Sequence, residues 1–403
     1  MHEAETMNAS SESQSTLRVV QSVCGVFHHF DLARELYSHG NLEQIFSTFP
    51  WARLKRESLP RSMVSTFPLI DPVLMLLNRY GISLPRAILR RLQYANIAMF
   101  DRWVSMHIPE CEAFVAISSF GLLTGQTVQK RGGKYVCDRG SAHIRFQLEI
   151  VADEYRRWGV SSRPDYPRII PREEAEYARA DAITVPSEFS RRSFIQMGVP
   201  GDKVYKIPYG VSLQKFYPVE QPPKDSFEVL FVGQVNYEKG IPYLLQAFSK
   251  FSHPHKRLRL VGTVREQIRP YLAEHLPPRV EVLGAVPQSE LKSIMSSSHV
   301  MVLPSIQDGF GMVLGQAMAC GCPVISSTNT GGPDLFTHGI EGFEVPIRSA
   351  DAILERLQQL ADDPVLQQQM GRAALEKVKH LGGWRDYGEQ YLSFLKKLVS
   401  EKT

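Results

Sequence analysis

Hydrophobic residues in this chain come in short runs, each followed by a segment in which they return at every third or fourth position. The run LRVVQSVCGVF (residues 17–27) leads into HHFDLARELYSHG, where Phe30, Ala33, Leu36 and Tyr37 fall at helical spacing and Gly40 ends the pattern. That predicts a strand, a turn and a helix. CEAFVAIS (111–118) opens a similar unit, KYVCDRG (134–140) another with a long polar helix, and DAITVPS (181–187) a fourth. In the last, Ser187 is placed to cap the helix and Gly198 to end it. Such alternation predicts a parallel sheet covered by helices.

The pattern breaks at KIPYGVSLQKFYPVEQPPKDS, with four prolines and little periodicity, and residues 206–224 read as a linker. Alternation then restarts with FEVLFVG, RLRLVG, VEVLGAV, HVMVLPS, PVISS and GFEVP, each but the last followed by a helical pattern or a glycine-rich connection. No period of repeat-array length is visible. The expected fold class is α/β, with one Rossmann-like domain over 17–205 and a second over 225–385. The final GWRDYGEQYLSFLKKLV places Trp384, Tyr387, Tyr391, Phe394, Leu395 and Leu398 on one face, so a helix over 386–403 should pack back onto a domain surface.

A length of 403 residues agrees with two cores rather than one. Residues 1–16 are polar and acidic, without the apolar segment of a signal peptide, and are expected to be disordered. No run reaches the roughly 18 to 20 apolar residues that span a bilayer. A net charge of +4 is too small to call for nucleic acid as partner. Five cysteines in no paired framework favour a reducing compartment, and the expected location is cytoplasmic. The stretch SMVSTFPLIDPVLMLLNRYGISLPRAILRRLQY reads in two ways. Its apolar residues with Arg79, Arg86, Arg90 and Arg91 suit a peripheral contact with the inner face of an anionic membrane, and they equally suit core helices with solvated basic faces.

Candidate chemistry concentrates in PSIQDGFGMVLGQAMACGCPVISS (304–327). Ligands of open parallel sheets bind beyond the carboxyl ends of the strands, where this turn would lie. Gly309 and Gly311 allow close backbone approach, and the amides opening the next helix favour an anion. Gln316, with Val313, falls on one face of that helix, near the same ligand. In VGQVNYEKGIPYLLQAF, Gly233 ends a strand and Lys239 stands before another helix, as a point charge for phosphate. STNTGGPDLF adds a third glycine-rich connection, and three such loops on one edge suggest a diphosphate ligand.

These segments resemble the retaining glycosyltransferases of family 4, which have the two-domain GT-B architecture of facing Rossmann-like domains. The resemblance spans most of 17–400 and is dense from about 173 onward. It is carried by EEAEYARADAITVPSEFSRRSF, GVPGDKVYKIPYGVSLQKFYP, the Lys239-Gly240 segment, the glycine turn and GGPDLFTHGIEGFEV, in the family's order and spacing.

The resemblance implies a nucleotide-sugar donor on the second domain and a saccharide or lipid-linked acceptor on the first, with no further cofactor and no metal. Asp308 would orient the donor sugar and Gln316 would meet the ribose, where the family has Glu at both positions. Gly233, Gln234, Gly309, Phe310, Gly311, Met312 and Val313 would line the donor, and the backbone of Val282 to Val286 the base, with the side chains of that strand in the core. Gln234 replaces an arginine common in the family, and Arg265 and Arg145 are the candidate substitutes.

On the first domain, Gly25 takes the place of the family's glycine loop, and His28 and His29 read either as ligand contacts or as a helix cap. His143 stands where the family has a histidine close to the transferred sugar. Catalysis is expected to fall to His143, Asp308 and Lys239, by front-side displacement in which the leaving diphosphate takes the acceptor's proton. The implied setting is surface polysaccharide or glycolipid synthesis. A silent nucleotide-sugar binding protein or partner subunit, suggested by the three altered positions, and a sugar-nucleotide epimerase on the same architecture are the alternatives.

Overall fold

The computed structural model describes residues 17–82, 84–161 and 167–401, so the expectation for residues 1–16 and the last two positions of the C-terminal helix lie outside it. Seven parallel strands form the first sheet: β1 (Val19–Val23), β2 (Leu42–Ser47), β3 (Val64–Thr66), β4 (Ala113–Ile117), β5 (Lys134–Asp138), β6 (Ala182–Val185) and β7 (Val204–Lys206). Their spatial order is β3-β2-β1-β4-β5-β6-β7. Six more build a second parallel sheet: β8 (Phe227–Val232), β9 (Lys256–Val261), β10 (Val280–Gly284), β11 (Val300–Leu303), β12 (Val324–Ser327) and β13 (Gly342–Val345), in the order β10-β9-β8-β11-β12-β13. Strands β1, β8, β11 and β12 are buried along their whole length, as parallel strands covered on both faces must be.

In each sheet the order reverses once. The chain leaves β1 toward β2 and β3 and returns to β4, and it leaves β8 toward β9 and β10 and returns to β11. Crevices open at the carboxyl ends where such reversals occur, and they fix where a ligand can sit. Strands β2 and β3 carry no run long enough to be read from the sequence. The Pro-rich segment is also less loose than its letters suggest, because Tyr209, Val211 and Phe216 are buried in the main core. The helix Trp384–Ser400 packs against the helix His29–Ser38 of the first sheet, with Gly388 set against Glu35, and Tyr391 OH lies 2.9 Å from Thr184 Oγ1.

His143 opens the helix Ile144–Arg157. Its Nδ1 accepts a hydrogen bond from Arg145 N at 3.3 Å, and its own backbone N–H donates to Ser193 Oγ at 2.8 Å. Its ring packs 5.0 Å from Tyr177 and 5.1 Å from Phe194. Burial disfavours the imidazolium and, against the opposing pull of Glu174, brings its pKa down to about 4. The unfolded chain binds this proton near pH 6.5 and the folded chain only near 4. Stability from His143 is therefore full above pH 6.5 and is lost as pH falls through that window, by on the order of 3 kcal/mol. His143→Asn keeps a capping side chain, so its unfolding free energy in urea should fall less between neutral pH and about 4 than that of the parent chain. Parallel losses in the two proteins would mean that His143 is not held neutral in the fold.

Candidate functional site

The second sheet's reversal brings two connections together. After β8 the chain runs Gly233-Gln234 to Lys239-Gly240 and into the helix Ile241–Lys250; after β11 it runs from Pro304 to Gly311 and into the helix Met312–Ala319. The loops are tied by Ile306 N–H donating to Glu238 O (2.8 Å) and Gln307 Nε2 donating to Glu238 Oε1 (2.8 Å). Gly240 makes the approach possible: its φ is +69°, and a Cβ there would sit 2.0 Å from Pro304 O. A third connection, after β12, closes the group, with Asp308 N–H donating to Asn329 O and Gly331 N–H to Phe310 O, both at 2.9 Å.

At the meeting point stands an ion pair. Lys239 Nζ lies 2.6 Å from Asp308 Oδ2, and Asp308 Oδ1 accepts from Gly311 N (3.0 Å) and, more weakly, from Phe310 N (3.4 Å). Both side chains are about four-fifths shielded. Burial works against the charge of Lys239, but the carboxylates of Asp308 and Glu238 outweigh it and hold its pKa above the ordinary lysine value. One cation and the free amides of a helix start thus converge on a single carboxylate, a setting for negative charge.

The first sheet presses against the same turn. Ser187 and Ser190 hydroxyls donate to Gly309 O at 2.5 and 3.1 Å, and a Cβ on Gly309 would meet Gly140 O at 2.1 Å. Ser141 Oγ donates to Gln307 Oε1 at 3.3 Å. Lys206 Nζ (2.7 Å) and Glu188 N–H (2.8 Å) both donate to Asp334, which follows the third glycine connection. Behind Gly140, Asp138 is buried and held ionised: burial opposes the charge, but His28 and His29 outweigh it and keep the carboxyl well below its usual range. His28 Nε2 is 2.5 Å and His29 Nε2 3.0 Å from Asp138 Oδ2, and Thr184 Oγ1 donates to Oδ1 at 2.7 Å. The tandem histidines therefore serve the buried carboxylate. His28 is within hydrogen-bond distance of that carboxylate and His29 within ion-pair range, and the three are also of metal-ligand type, with one donor atom of each within 4.8 Å of the others. Tyr209 links this cluster to the turn, its ring 4.3 Å from His28 and 5.3 Å from Phe310.

Of the sequence-predicted residues, Lys239, Asp308, Gly309 and Gly311 come together. Phe310 contributes its backbone, since its ring is 2% exposed and turned toward Tyr209. Met312 and Gln316 line a cavity of about 90 Å³ together with Asp31 and Lys215, while Val313 packs on the core. Gln234 Oε1 accepts from Arg265 Nε at 2.9 Å, so a guanidinium does stand beside the position where the family's arginine is missing. Arg145 is instead engaged with Glu174 at 2.7 and 2.8 Å.

Gly25 is held in its turn by Thr48 and Ser47. Val286 is half-buried beyond β10. The side chains of that strand are not core, because β10 is the sheet's edge and Val282 and Leu283 are more than a third exposed. The contacts of His143 described above include none of Lys239, Asp308 or Gln316. Sequence reasoning missed Asp138, Gln307 and the second role of Ser187. Only the last had a signal, in the segment where Ser187 was read as a cap; it is one, accepting from Ser190 N at 3.1 Å.

Residues 214–377 match the family described as Glycosyl transferases group 1. The alpha-maltose-1-phosphate synthase of Mycolicibacterium smegmatis is 25% identical over 249 residues, covering 54% of this chain and 64% of that protein. The amylovoran biosynthesis glycosyltransferase AmsK of Erwinia amylovora is 26% identical over 229 residues, 53% of this chain and 54% of its own. The chain thus spans less than two thirds of either relative. Among solved structures, sucrose-phosphate synthase from Thermosynechococcus elongatus superposes with a TM-score of 0.71 at 22% identity, over 96% of this chain and 100% of that one. Anabaena HepE in complex with UDP gives 0.68 at 15% identity, over 94% and 100%. The two parallel sheets are those of the GT-B fold, and it is the second half of the chain, over residues 214–377, that matches the glycosyl transferases group 1 family.

Proposed function

We propose that this protein is a retaining glycosyltransferase that moves a sugar from a nucleoside diphosphate donor to a saccharide or lipid-linked acceptor, in the synthesis of a surface polysaccharide or glycolipid. The observation that carries the reading is the convergence of Lys239 Nζ and the Gly311 amide on the Asp308 carboxylate. An incoming diphosphate offers the lysine a doubly charged partner and frees Asp308 to accept from sugar hydroxyls. Arg265 beside Gln234 supplies a second cation toward the phosphates. The names of relatives lend support: AmsK is a glycosyltransferase of amylovoran biosynthesis, and HepE has been solved with UDP-glucose.

In the reaction, the bond from the anomeric carbon to the diphosphate oxygen breaks as the acceptor oxygen bonds to that carbon on the same face. The acceptor's proton passes to the departing phosphate oxygen. Lys239 and the turn amides stabilise the charge that grows on the leaving group, a preorganised electrostatic contribution. The uncharged Gln234 and Gln316 favour one competing reading, a binder without turnover, which the same experiments decide.

Lys239→Ala should lower transfer from a UDP-sugar by about 100- to 1000-fold, measured as UDP release with a panel of acceptors, while the melting midpoint changes little. Asp308→Ala should abolish transfer; unchanged turnover in either variant contradicts its assigned role, and binding without turnover by the parent chain favours the silent reading. Gln316→Glu should leave UDP affinity intact or tighten it by calorimetry, since a carboxylate accepts a ribose hydroxyl more strongly than an amide does. Substantially weaker UDP binding would remove Gln316 from the ribose.

A further inference from the structure

The segment from Leu69 to Arg91 inverts the usual arrangement of a surface helix. Leu69, Val73, Leu76 and Tyr80 fall at spacings of four, three and four residues, along and just beyond the ends of the helix Asp71–Arg79, and each is exposed. Ile82, just beyond them, and Ile88, in the start of the helix Arg86–His107, are exposed as well, and the six residues are between 46% and 71% exposed. A soluble surface scatters such residues singly rather than lining them up. The acidic residue that opens the helix Asp71–Arg79 is tied inward instead: Asp71 accepts from Asn96 Nδ2 at 3.0 Å and from Cys24 Sγ at 3.7 Å.

Charge completes the pattern. No Asp or Glu occurs between Pro72 and Phe100, a stretch that carries Arg79, Arg86, Arg90 and Arg91. Arg79 and Arg91 are exposed, Arg79 at the end of the apolar stripe and Arg91 one turn beyond Ile88. Apolar residues flanked by arginine, with a tyrosine between them, match the boundary between acyl chains and anionic headgroups. A nucleic acid would use the arginines and leave the apolar stripe in water.

We infer that the face formed by Leu69, Val73, Leu76, Tyr80, Ile82 and Ile88, rimmed by Arg79 and Arg91, docks on the surface of an anionic phospholipid bilayer. The contact between Cys24 and Asp71 joins this face to the turn after β1, at the first sheet's reversal point. Docking there sets the carboxyl edge of the first sheet beside the headgroups, which is where a lipid-linked acceptor of the proposed reaction would be met.

The full chain should be sedimented with vesicles of phosphatidylcholine alone and of phosphatidylcholine mixed with phosphatidylglycerol; neither donor nor turnover is needed, so the outcome is independent of the proposed function. Partition onto the mixed vesicles should exceed that onto neutral ones by about tenfold or more and should weaken with added salt. Leu76→Asp with Tyr80→Asp should bring it down to the neutral level. Arg79→Gln with Arg91→Gln, which keeps the apolar stripe, should lower it about tenfold or more and decides the matter should the first pair fail to fold. Equal partition onto both vesicle types, or no response to either pair, overturns the inference. So does a concentration-dependent dimer abolished by Leu76→Asp, which would assign the face to a second copy of the chain.

Discussion

Lys239 and Asp308 meet at 2.6 Å where three loops of one sheet and two elements of the other converge, and most of the surrounding architecture bears on keeping them there. As a source of stability the pair is modest, since partly solvated ion pairs contribute on the order of 1 kcal/mol or less. Its importance is positional. A carboxylate that shares a cation and two helix-start amides stands in a place prepared for negative charge, and the lysine remains protonated because Asp308 and Glu238 favour it.

Two constraints place that pair. The reversal of strand order between β8 and β11 sends both loops to one crevice, and Gly240, where any side chain would strike Pro304 O, lets them touch. The second constraint is the close approach of Gly309 to Gly140, which brings the first sheet's Ser187, Ser190 and Ser141 onto the turn. Beneath them, the buried Asp138 with His28, His29 and Thr184 gives the first sheet's edge a rigid polar support, joined to the turn by the ring of Tyr209.

Alternation of apolar runs and helical periods is enough to read two parallel sheets, because the central strands β1, β8, β11 and β12 are buried along their length and the helices that cover them declare one apolar face. Short strands such as β3, with three residues, leave no such trace. The glycine turn and Lys239 were legible because their chemistry depends on neighbours in sequence. Contacts made across the fold were not: His28 reaches Asp138 over 110 positions and Ser187 reaches Gly309 over 122, and nothing local to either marks the partner. Val282 and Leu283 were misread as core because an edge strand and a central strand can carry the same letters. The rim of Arg265 beside Gln234 shows the converse, a charge missing at its expected position and present within hydrogen-bond reach of it.

The Lys239–Asp308 contact is proposed as the resting state of a diphosphate site. A crystal structure with a bound nucleoside diphosphate tests it most directly. Phosphate oxygens should lie within about 3 Å of Lys239 Nζ and of the amides opening the helix Met312–Ala319, with Asp308 Oδ2 no longer on the lysine. A diphosphate bound elsewhere, with the pair intact, would contradict it.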